Sequence, residues 1–220
     1  DRGLDAGVID HFGLGFVPDS FDVLARALAS ARIPKEVGRQ AGLLSQGSSG
    51  GFFDLLRGRI TFPIRDVRGR VIAFGGRALQ PEQKPKYLNT PESPVFRKRE
   101  SFYGFPWALE PMRRNRRVVI CEGYFDAIAL HRAGVSEALA TCGTALTAEH
   151  AIQLRRRTER VVLLFDGDAA GQKAMERALS VLLPEGLRVD AVSLPGGLDP
   201  DEYLAAHGAQ PLCALIDAAL

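Results

Sequence analysis

The chain has 220 residues, 46% hydrophobic and 25% charged, a balance typical of a soluble globular protein that can bury one or two cores. No apolar run approaches the roughly 20 residues of a membrane helix, and the first ten residues lack a signal peptide's pattern, so we expect a cytoplasmic protein without a membrane partner. Three cysteines without a CxxC pair predict neither a disulfide framework nor a cysteine zinc site, so any metal should be bound by oxygen.

Charge is distributed unevenly along the chain although the net charge is only +2. Residues 57–117 carry 15 Lys and Arg against 5 Asp and Glu, whereas residues 118–220 carry 8 against 14. Phosphates and divalent cations need opposite electrostatic environments, so this division predicts a polyanion-binding surface and a cation-binding site. A surface that is uneven by chance is the alternative.

The first part of the chain predicts a small subdomain that mixes helix and strand. A helix is expected over residues 20–31, capped by Asp19 or Ser20, with a Gly/Ser turn at residues 47–51 after it. Residues 59–64 and 70–74 flank a turn at residues 66–69 and predict two antiparallel strands in a hairpin.

From residue 117 onward, short apolar strands alternate with helical stretches, which is typical of an α/β fold with a mostly parallel sheet. Strands this apolar are expected when helices cover both faces of the sheet. Ligands of such sheets bind at the carboxyl ends of the strands. The predicted strands are residues 118–121, 137–141, 161–165 and 189–194, and the predicted helices are residues 125–132, 148–156 and 170–182.

Carboxylates follow three of these predicted strands and are expected to meet at one edge of the sheet. Like charges brought together cost energy unless cations neutralise them, and hard oxygen donors at this density suit Mg²⁺ or Mn²⁺. Two such ions can activate a 3′-hydroxyl and stabilise a leaving pyrophosphate. Any one of the acids could instead be a helix cap or a turn residue. The strand-end carboxylates are Glu122, Asp166, Asp168, Asp199 and Asp201, with Asp126 one helical turn beyond the first.

These acidic motifs resemble a known domain. Glu-Gly-Tyr-Phe-Asp at residues 122–126, Asp-Gly-Asp at 166–168 and Asp-Pro-Asp at 199–201 resemble the Toprim domain of DnaG-type primases, topoisomerases and some nucleases. Upstream, the motifs at residues 61–66, 71–77, 86–92 and 96–104 are similar to the basic subdomain of bacterial DNA primases. The resemblance extends over almost the whole chain.

The resemblance implies an α/β fold (α+β overall). A Toprim-type, mostly parallel sheet flanked by helices is expected over residues 117–205. A small mixed α+β basic subdomain should precede it over residues 1–116, and the start of a C-terminal helical segment should follow at residues 206–220.

The family's roles, carried over position by position, imply the catalytic core of a DNA primase, which synthesises short RNA primers on single-stranded DNA by metal-dependent nucleotidyl transfer. Mg²⁺ or Mn²⁺, as two ions, would be held by Glu122, Asp166 and Asp168, with Glu122 closest to a general-base role. Asp199 and Asp201 would support the same metal cluster, and Asp126 would lie next to the ligands without contacting the ions directly. The residues expected to contact nucleotide or template are Arg77, Lys86, Tyr87, Asn89 and Lys98.

The partners implied in the same way are single-stranded DNA, ribonucleoside triphosphates and the replicative helicase. The helicase would be bound through a domain that this chain does not include, and the family's amino-terminal zinc domain is likewise not expected here. The location implied is the bacterial cytoplasm, at the replication fork in the nucleoid.

Two other function classes are open to this sequence. One is another Toprim enzyme, a topoisomerase or a nuclease, which would cleave single-stranded DNA rather than incorporate nucleotides. The other is a non-catalytic nucleic-acid-binding module, whose binding would survive loss of the carboxylates. Two arginine-rich runs, at residues 113–117 and 155–157, are interpreted as solvated faces.

Overall fold

The computed structural model describes residues 4–48, 50–166 and 169–219, with the side chain of Ala170 excepted. The chain divides into two units, of which the first comprises Asp1–Ile64 and Val71–Arg97 and the second Arg65–Arg70 and Lys98–Leu220. None of the helices in these described ranges has the length and apolar character required to cross a bilayer.

The first unit is built on a sheet in the order β1-β4-β5-β6, with β2 and β3 as a separate antiparallel pair. β1 runs antiparallel to β4, and β5 runs antiparallel to β6. Phe62 and Ile64 of the central strand are fully buried. The elements are α1 (Ala6–Phe12), β1 (Gly15–Val17), α2 (Val23–Ser30), α3 (Lys35–Gln40), β2 (Leu44–Gln46), β3 (Phe52–Asp54), β4 (Arg59–Arg65), β5 (Val71–Ala78) and β6 (Tyr87–Asn89).

The predicted hairpin is the β4–β5 pair, and its turn is held by Asp66. The Asp66 carboxylate accepts backbone N–H groups from Arg68 and Arg70 at 2.9 and 3.0 Å, and it also pairs with the Arg70 guanidinium at 2.6 Å. Gly69 has a φ of 82°, a conformation that a residue with a Cβ rarely adopts. The turn is therefore encoded locally.

The predicted start of the helix at residues 20–31 was wrong. α2 begins at Val23, with Asp22 at its N-cap position but without a side-chain capping bond from that residue. The buried carboxylate of Asp54 accepts the N–H groups of Leu24 and Ala25 at 2.7 and 3.0 Å. The free donors of the first turn are thus satisfied by a residue about 30 positions away in the chain.

The second unit is built on a five-stranded sheet in the order β11-β10-β8-β9-β7. The first four strands are parallel and β7 is antiparallel to β9, which confirms the mostly parallel sheet. The elements are β7 (Phe102–Tyr103), α4 (Phe105–Asn115), β8 (Val118–Cys121), α5 (Tyr124–Arg132), β9 (Ala138–Thr141), α6 (Ala148–Arg155), β10 (Arg160–Phe165), α7 (Ala169–Leu182), β11 (Arg188–Ser193), α8 (Pro200–His207) and α9 (Ala209–Ala218), with short 3₁₀ turns at Lys98–Glu100, Leu183–Glu185 and Pro195–Gly197.

The central strands of this sheet are buried on both faces. All four residues of β8 have 0% exposure, and successive side chains of a strand point to opposite faces. Val118 and Ile120 belong to one core cluster together with residues of α4, α6 and α7. The rigid sheet fixes the points at which each strand ends, and it therefore fixes where the next residues of the chain emerge.

Candidate active site

The segments that follow three parallel strands carry the predicted metal-binding carboxylates. Glu122 directly follows β8 and Asp166 directly follows β10, and these two strands are parallel neighbours. Asp199 and Asp201 come after β11, which is the parallel neighbour of β10 on its other side. The four residues therefore leave the sheet at the same edge. Asp168 lies outside the described residues.

Asp199 also begins a helix. Its carboxylate accepts the N–H of Glu202 at 2.7 Å at the N-cap of α8, and the Glu202 side chain reaches back to the N–H of Asp199 at 3.5 Å. This reciprocal cap fixes the backbone at Asp199 and the adjacent Asp201. The structural role of a helix cap, one of the readings that the sequence left open, is thus present at Asp199.

Asp126 lies on the first turn of α5, where its carboxylate accepts the N–H of Gly123 at 2.9 Å. It is only 8% exposed. Burial, together with the negative charges of Asp199, Asp166 and Asp201, raises the pKa of Asp126 to about 7 against the lowering effect of the Gly123 hydrogen bond. The structure thus brings Asp126 together with three of the strand-end acids, and we call Glu122 and these four aspartates the acidic edge.

Cys121, the last residue of β8, is fully buried beside the acidic edge. Burial raises the pKa of its thiol well above the usual range, and the charges of Asp126, Glu122 and Asp166 add to the effect. The thiol lies 3.5 Å from the carbonyl oxygen of Leu139, to which it donates. A thiol that stays protonated is a poor nucleophile and a poor metal ligand, so the oxygen donors remain as the reactive groups of this edge.

The acidic edge has the chemistry of a site for a divalent cation. The pKa of Asp126 is raised by burial first and by the negative charges of Asp199, Asp166 and Asp201 second, and carboxylate oxygens are the ligands that hard divalent cations prefer. Within residues 4–48, 50–166 and 169–219, however, no three His, Cys, Asp or Glu side chains are positioned around a common point as metal ligands. The donor set fits a cation in its chemistry, and one of the predicted ligands, Asp168, lies beyond those ranges.

A glycine allows α7 to approach the loop that carries Asp166. A Cβ added at Gly171, in the first turn of the helix, would overlap the backbone carbonyl oxygen of Asp166. Only a residue without a side chain permits this approach. Gly171 therefore determines where Asp166 stands relative to the start of α7.

Three of the five predicted nucleotide or template contacts lie on the β5–β6 strand pair of the first unit, and a fourth, Lys86, directly precedes β6. Arg77 of β5 stands opposite Tyr87 of β6 in the register, and Asn89 stands opposite Gly75. The Arg77 guanidinium lies 5.8 Å from the centroid of the Tyr87 ring, and the Lys86 Nζ lies 6.0 Å from it. These distances are at the outer limit of cation–π attraction, so the ring and the two cations form one cluster.

Arg59 supports this cluster and was not among the predicted residues. It is 2% exposed at the start of β4, and its guanidinium donates to the carbonyl oxygen of Lys86 at 3.3 Å. Burial lowers the pKa of Arg59 from its ordinary value. The sequence offered one indication of this role, because Arg59 is a basic residue at the first position of an apolar strand. It does not reveal that the partner of Arg59 is a backbone carbonyl.

Lys98, the fifth predicted contact, belongs to the second unit and lies in the 3₁₀ turn Lys98–Glu100, half-buried. Its charge lowers the pKa of the buried Cys142 thiol, against a larger rise due to burial. The flanking Arg99 pairs with Glu149 at 3.2 Å. The sequence alone does not reveal this partner of Arg99.

The tyrosines limit one alternative chemistry. Tyr103, Tyr124 and Tyr203 are each less than 10% exposed, and burial raises the pKa of Tyr103 far above its ordinary value. Tyr87, at 42% exposure, is the exposed member of the set and lies in the basic cluster of the first unit. Three of the four tyrosines are therefore too buried to act as the exposed nucleophile that a topoisomerase needs.

Comparison with known proteins identifies both halves of the chain. A model of the DNA primase catalytic core, N-terminal domain, matches residues 1–109, and a Toprim-like model matches residues 119–204. The DNA primase of Halalkalibacterium halodurans is 43% identical over 210 residues, which cover 95% of this chain and 35% of that protein. The chain thus spans about a third of the length of the curated relatives that it matches.

Solved structures agree with these matches. A crystal structure of a DNA primase domain from Pseudomonas aeruginosa superposes with a TM-score of 0.92 at 44% identity, covering 98% of this chain and 68% of that one. A structure of the DnaG primase catalytic domain bound to single-stranded DNA superposes with a TM-score of 0.89 at 37% identity, covering 99% and 68%.

Proposed function

The chain belongs to the family of DnaG-type DNA primases, and from this premise we propose that it synthesises short RNA primers on single-stranded DNA. The reaction joins ribonucleoside triphosphates by attack of a 3′-hydroxyl on an α-phosphate, with pyrophosphate as the leaving group. The first unit would hold nucleotide and template phosphates, and the second would carry the catalytic carboxylates. We propose a basic subdomain over residues 1–116, a Toprim-type domain over residues 117–205 and the start of a C-terminal helical segment over residues 206–220.

Glu122, Asp166 and Asp168 are the proposed ligands for divalent cations, with Asp199 and Asp201 as supporting groups. Mg²⁺ or Mn²⁺, as two ions, would supply Lewis acidity at the attacking hydroxyl and at the leaving pyrophosphate. Glu122 would accept the proton of the attacking hydroxyl, since it stands at the end of a rigid buried strand. Asp126 would hold the start of α5 in place through its bond to Gly123 and remain behind the ligands.

Arg77, Lys86, Tyr87 and Asn89 are proposed to bind phosphates and bases of nucleotide or template, and Lys98 is proposed to do so from the second unit. Arg and Lys supply the charge that phosphates require, and an exposed tyrosine ring offers a stacking surface. A similar primase catalytic domain was solved with bound single-stranded DNA, which supports single-stranded DNA as the template. Recognition of the replicative helicase remains a prediction from the family resemblance.

One observation carries this proposal: carboxylates follow three neighbouring parallel strands at the carboxyl edge of the sheet, and the charges of Asp199, Asp166 and Asp201 reach the buried Asp126. Negative charge collected at a strand edge repels a phosphate unless cations intervene, and a purely nucleic-acid-binding module would have no use for it. The acidic edge is therefore better explained by metal-dependent phosphoryl chemistry than by binding alone.

A primer-synthesis assay tests the proposal directly. Labelled ribonucleotides and unprimed single-stranded DNA would be incubated with the protein, with Mg²⁺, with Mn²⁺ and with EDTA. We expect incorporation into short RNA with either metal and none in EDTA. Metal-dependent cleavage of the DNA without incorporation would instead indicate a nuclease. If neither cleavage nor incorporation occurred, the chain would be a nucleic-acid-binding module without catalytic activity.

A further inference from the structure

A concave site lies at the edge of the parallel sheet of the second unit that is opposite the acidic edge. A cavity of about 620 Å³ is lined by arginines from three segments of the chain that are distant in sequence. Two of the segments are the arginine runs interpreted from sequence as separate solvated faces. The arginines of this pocket are Arg113 in the last turn of α4, Arg116 just after that helix, residues 155–157 at the end of α6, and the first residues of β10 and β11, Arg160 and Arg188.

The arginine pocket is separate from the acidic edge. It is formed by residues at the amino ends of β8, β10 and β11, whereas the carboxylates follow the carboxyl ends of the same strands. β10 has six residues, so the two edges are separated by roughly 17 Å at about 3.3 Å for each residue step. A ligand in the pocket would therefore not occupy the catalytic site.

Carboxylates compensate only part of the charge of the pocket. Arg160 pairs with Asp190 at 2.6 Å, and Arg155 pairs more loosely with Glu159 at 3.7 Å. Arg116, Arg156 and Arg188 form no ion pair with any carboxylate in the described ranges, and all three are exposed. A positive charge thus remains on the lining.

Arg157 is held rigidly in the wall of the pocket. Its guanidinium donates to the carbonyl oxygen of Gln153 at 2.7 Å and lies 5.1 Å from the centroid of the Phe105 ring. Burial lowers the pKa of Arg157, and the neighbouring positive charges of Arg156 and Arg113 lower it further. The guanidinium groups repel one another, so a bound anion would relieve the repulsion.

We propose that the arginine pocket binds a compact chain of linked phosphates, either the triphosphate of a nucleotide or an inorganic polyphosphate. The planar guanidinium presents a fork of N–H donors that matches phosphate oxygens two at a time. The cavity falls within the range of about 300–1,000 Å³ found for small-ligand sites. Seven arginines around one such cavity exceed what the widely spaced phosphates of a single nucleic-acid strand would need.

Recognition in this pocket is through the phosphates. Its described lining contains no aromatic ring on which a base could stack, and its other polar members are Asn115, Thr158 and Glu159. A nucleoside attached to the phosphates would therefore contribute little to the affinity. This expectation separates the pocket from the basic cluster of the first unit, which carries Tyr87.

Calorimetric titration of the 220-residue chain tests the proposal, with inorganic triphosphate, ATP, orthophosphate and a single-stranded oligonucleotide as probes. EDTA is present throughout, so that metal-dependent binding at the acidic edge is suppressed. The variant is Arg156→Glu/Arg188→Glu, which reverses two exposed charges of the pocket. The matched control is Arg132→Glu/Arg177→Glu, which makes the same change at exposed arginines of the same unit outside the pocket lining.

We expect triphosphate and ATP to bind one-to-one, with orthophosphate at least about tenfold weaker. The pocket variant should lower the affinity for both by about tenfold or more, and the control by less than about twofold. Similar affinities for the two would support recognition through the phosphates, and a preference for triphosphate would further identify an inorganic polyphosphate as the ligand. A strong preference for ATP would contradict recognition through the phosphates alone. Unchanged triphosphate affinity in the pocket variant, or loss of oligonucleotide binding alone, would overturn the proposal.

Discussion

Asp126 reports how strongly the carboxylates of the acidic edge act on one another. Its pKa rises to about 7 because the group is buried and because Asp199, Asp166 and Asp201 surround it with negative charge. The same field reaches the Cys121 thiol. Repulsion of this kind lowers the stability of the metal-free protein, so a cation that binds the carboxylates should stabilise the fold.

We therefore expect Mg²⁺ or Mn²⁺ to raise the thermal midpoint. At about ten times its Kd, a single ion should add ~1.4 kcal/mol, equivalent to roughly 3–6 °C for a chain of this length. Asp166→Asn should reduce that increase to less than half without lowering the metal-free Tm, because it also removes a repelling charge.

Thermal melts with EDTA and with metal provide the measurement. The control is Glu176→Gln, which removes an exposed charge on α7 of the same unit and should leave the metal response unchanged. Identical responses of Asp166→Asn and the wild type would count against Asp166 as a ligand.

At the scale of elements, the contact between α7 and the end of β10 determines the position of Asp166. Gly171→Ala should destabilise the fold by about 1–3 kcal/mol, because its Cβ overlaps the Asp166 carbonyl oxygen and the backbone must shift. Alanine's better helix propensity, worth about 1 kcal/mol, should not offset this cost. The same variant should also lose the thermal response to metal.

Urea unfolding is the measurement, with Gly51→Ala as the matched control. A Cβ at Gly51 meets no atom within 4 Å, so that substitution should be neutral or stabilise the protein by about 0.4–1 kcal/mol. Equal stability of the two variants would contradict the close approach at Gly171.

The sequence predicted the elements whose signals are local. The strands β8 and β10 follow from continuous apolar runs, and the β4–β5 hairpin follows from the turn residues between its strands. The start of α2 was misjudged because its cap is the distant Asp54. No helix was predicted over α4, whose interior contains Pro111, since proline normally ends a helix.

For the candidate site, the order of strands and acids predicted that carboxylates would meet at one edge, because parallel strands end together. Two other features depend on tertiary structure. The burial of Asp126 sets its pKa, and the joining of two arginine runs about 40 residues apart creates the arginine pocket. Neither can be read from spacing along the chain.

At the scale of the whole molecule, the basic block of residues 57–117 predicts binding to single-stranded DNA that weakens steeply with salt, through release of condensed counterions. If Lys86 contacts one phosphate, Lys86→Ala should reduce the slope of log affinity against log salt concentration by roughly 0.7. Lys35→Ala removes the same charge from α3 of the same unit and should leave the slope unchanged.

Fluorescence anisotropy with a labelled oligonucleotide, at several salt concentrations, measures these slopes. An affinity that does not depend on salt would exclude phosphate contacts as its source. Equal slopes for wild type and Lys86→Ala would remove Lys86 from the contact surface.

The central claim is that the acidic edge carries out the chemistry while other residues bind the DNA. It is tested most directly by measuring primer synthesis and single-stranded DNA binding on one variant, in a full-length primase that carries this sequence as its core. Glu122→Gln keeps the shape of the side chain but removes its charge, so it can neither accept a proton nor offset a divalent cation. We predict that primer synthesis falls by about 100-fold or more, while single-stranded DNA binding, measured on the same preparation, stays within about twofold. Near-normal incorporation by Glu122→Gln would contradict the assignment of the catalytic centre to the acidic edge.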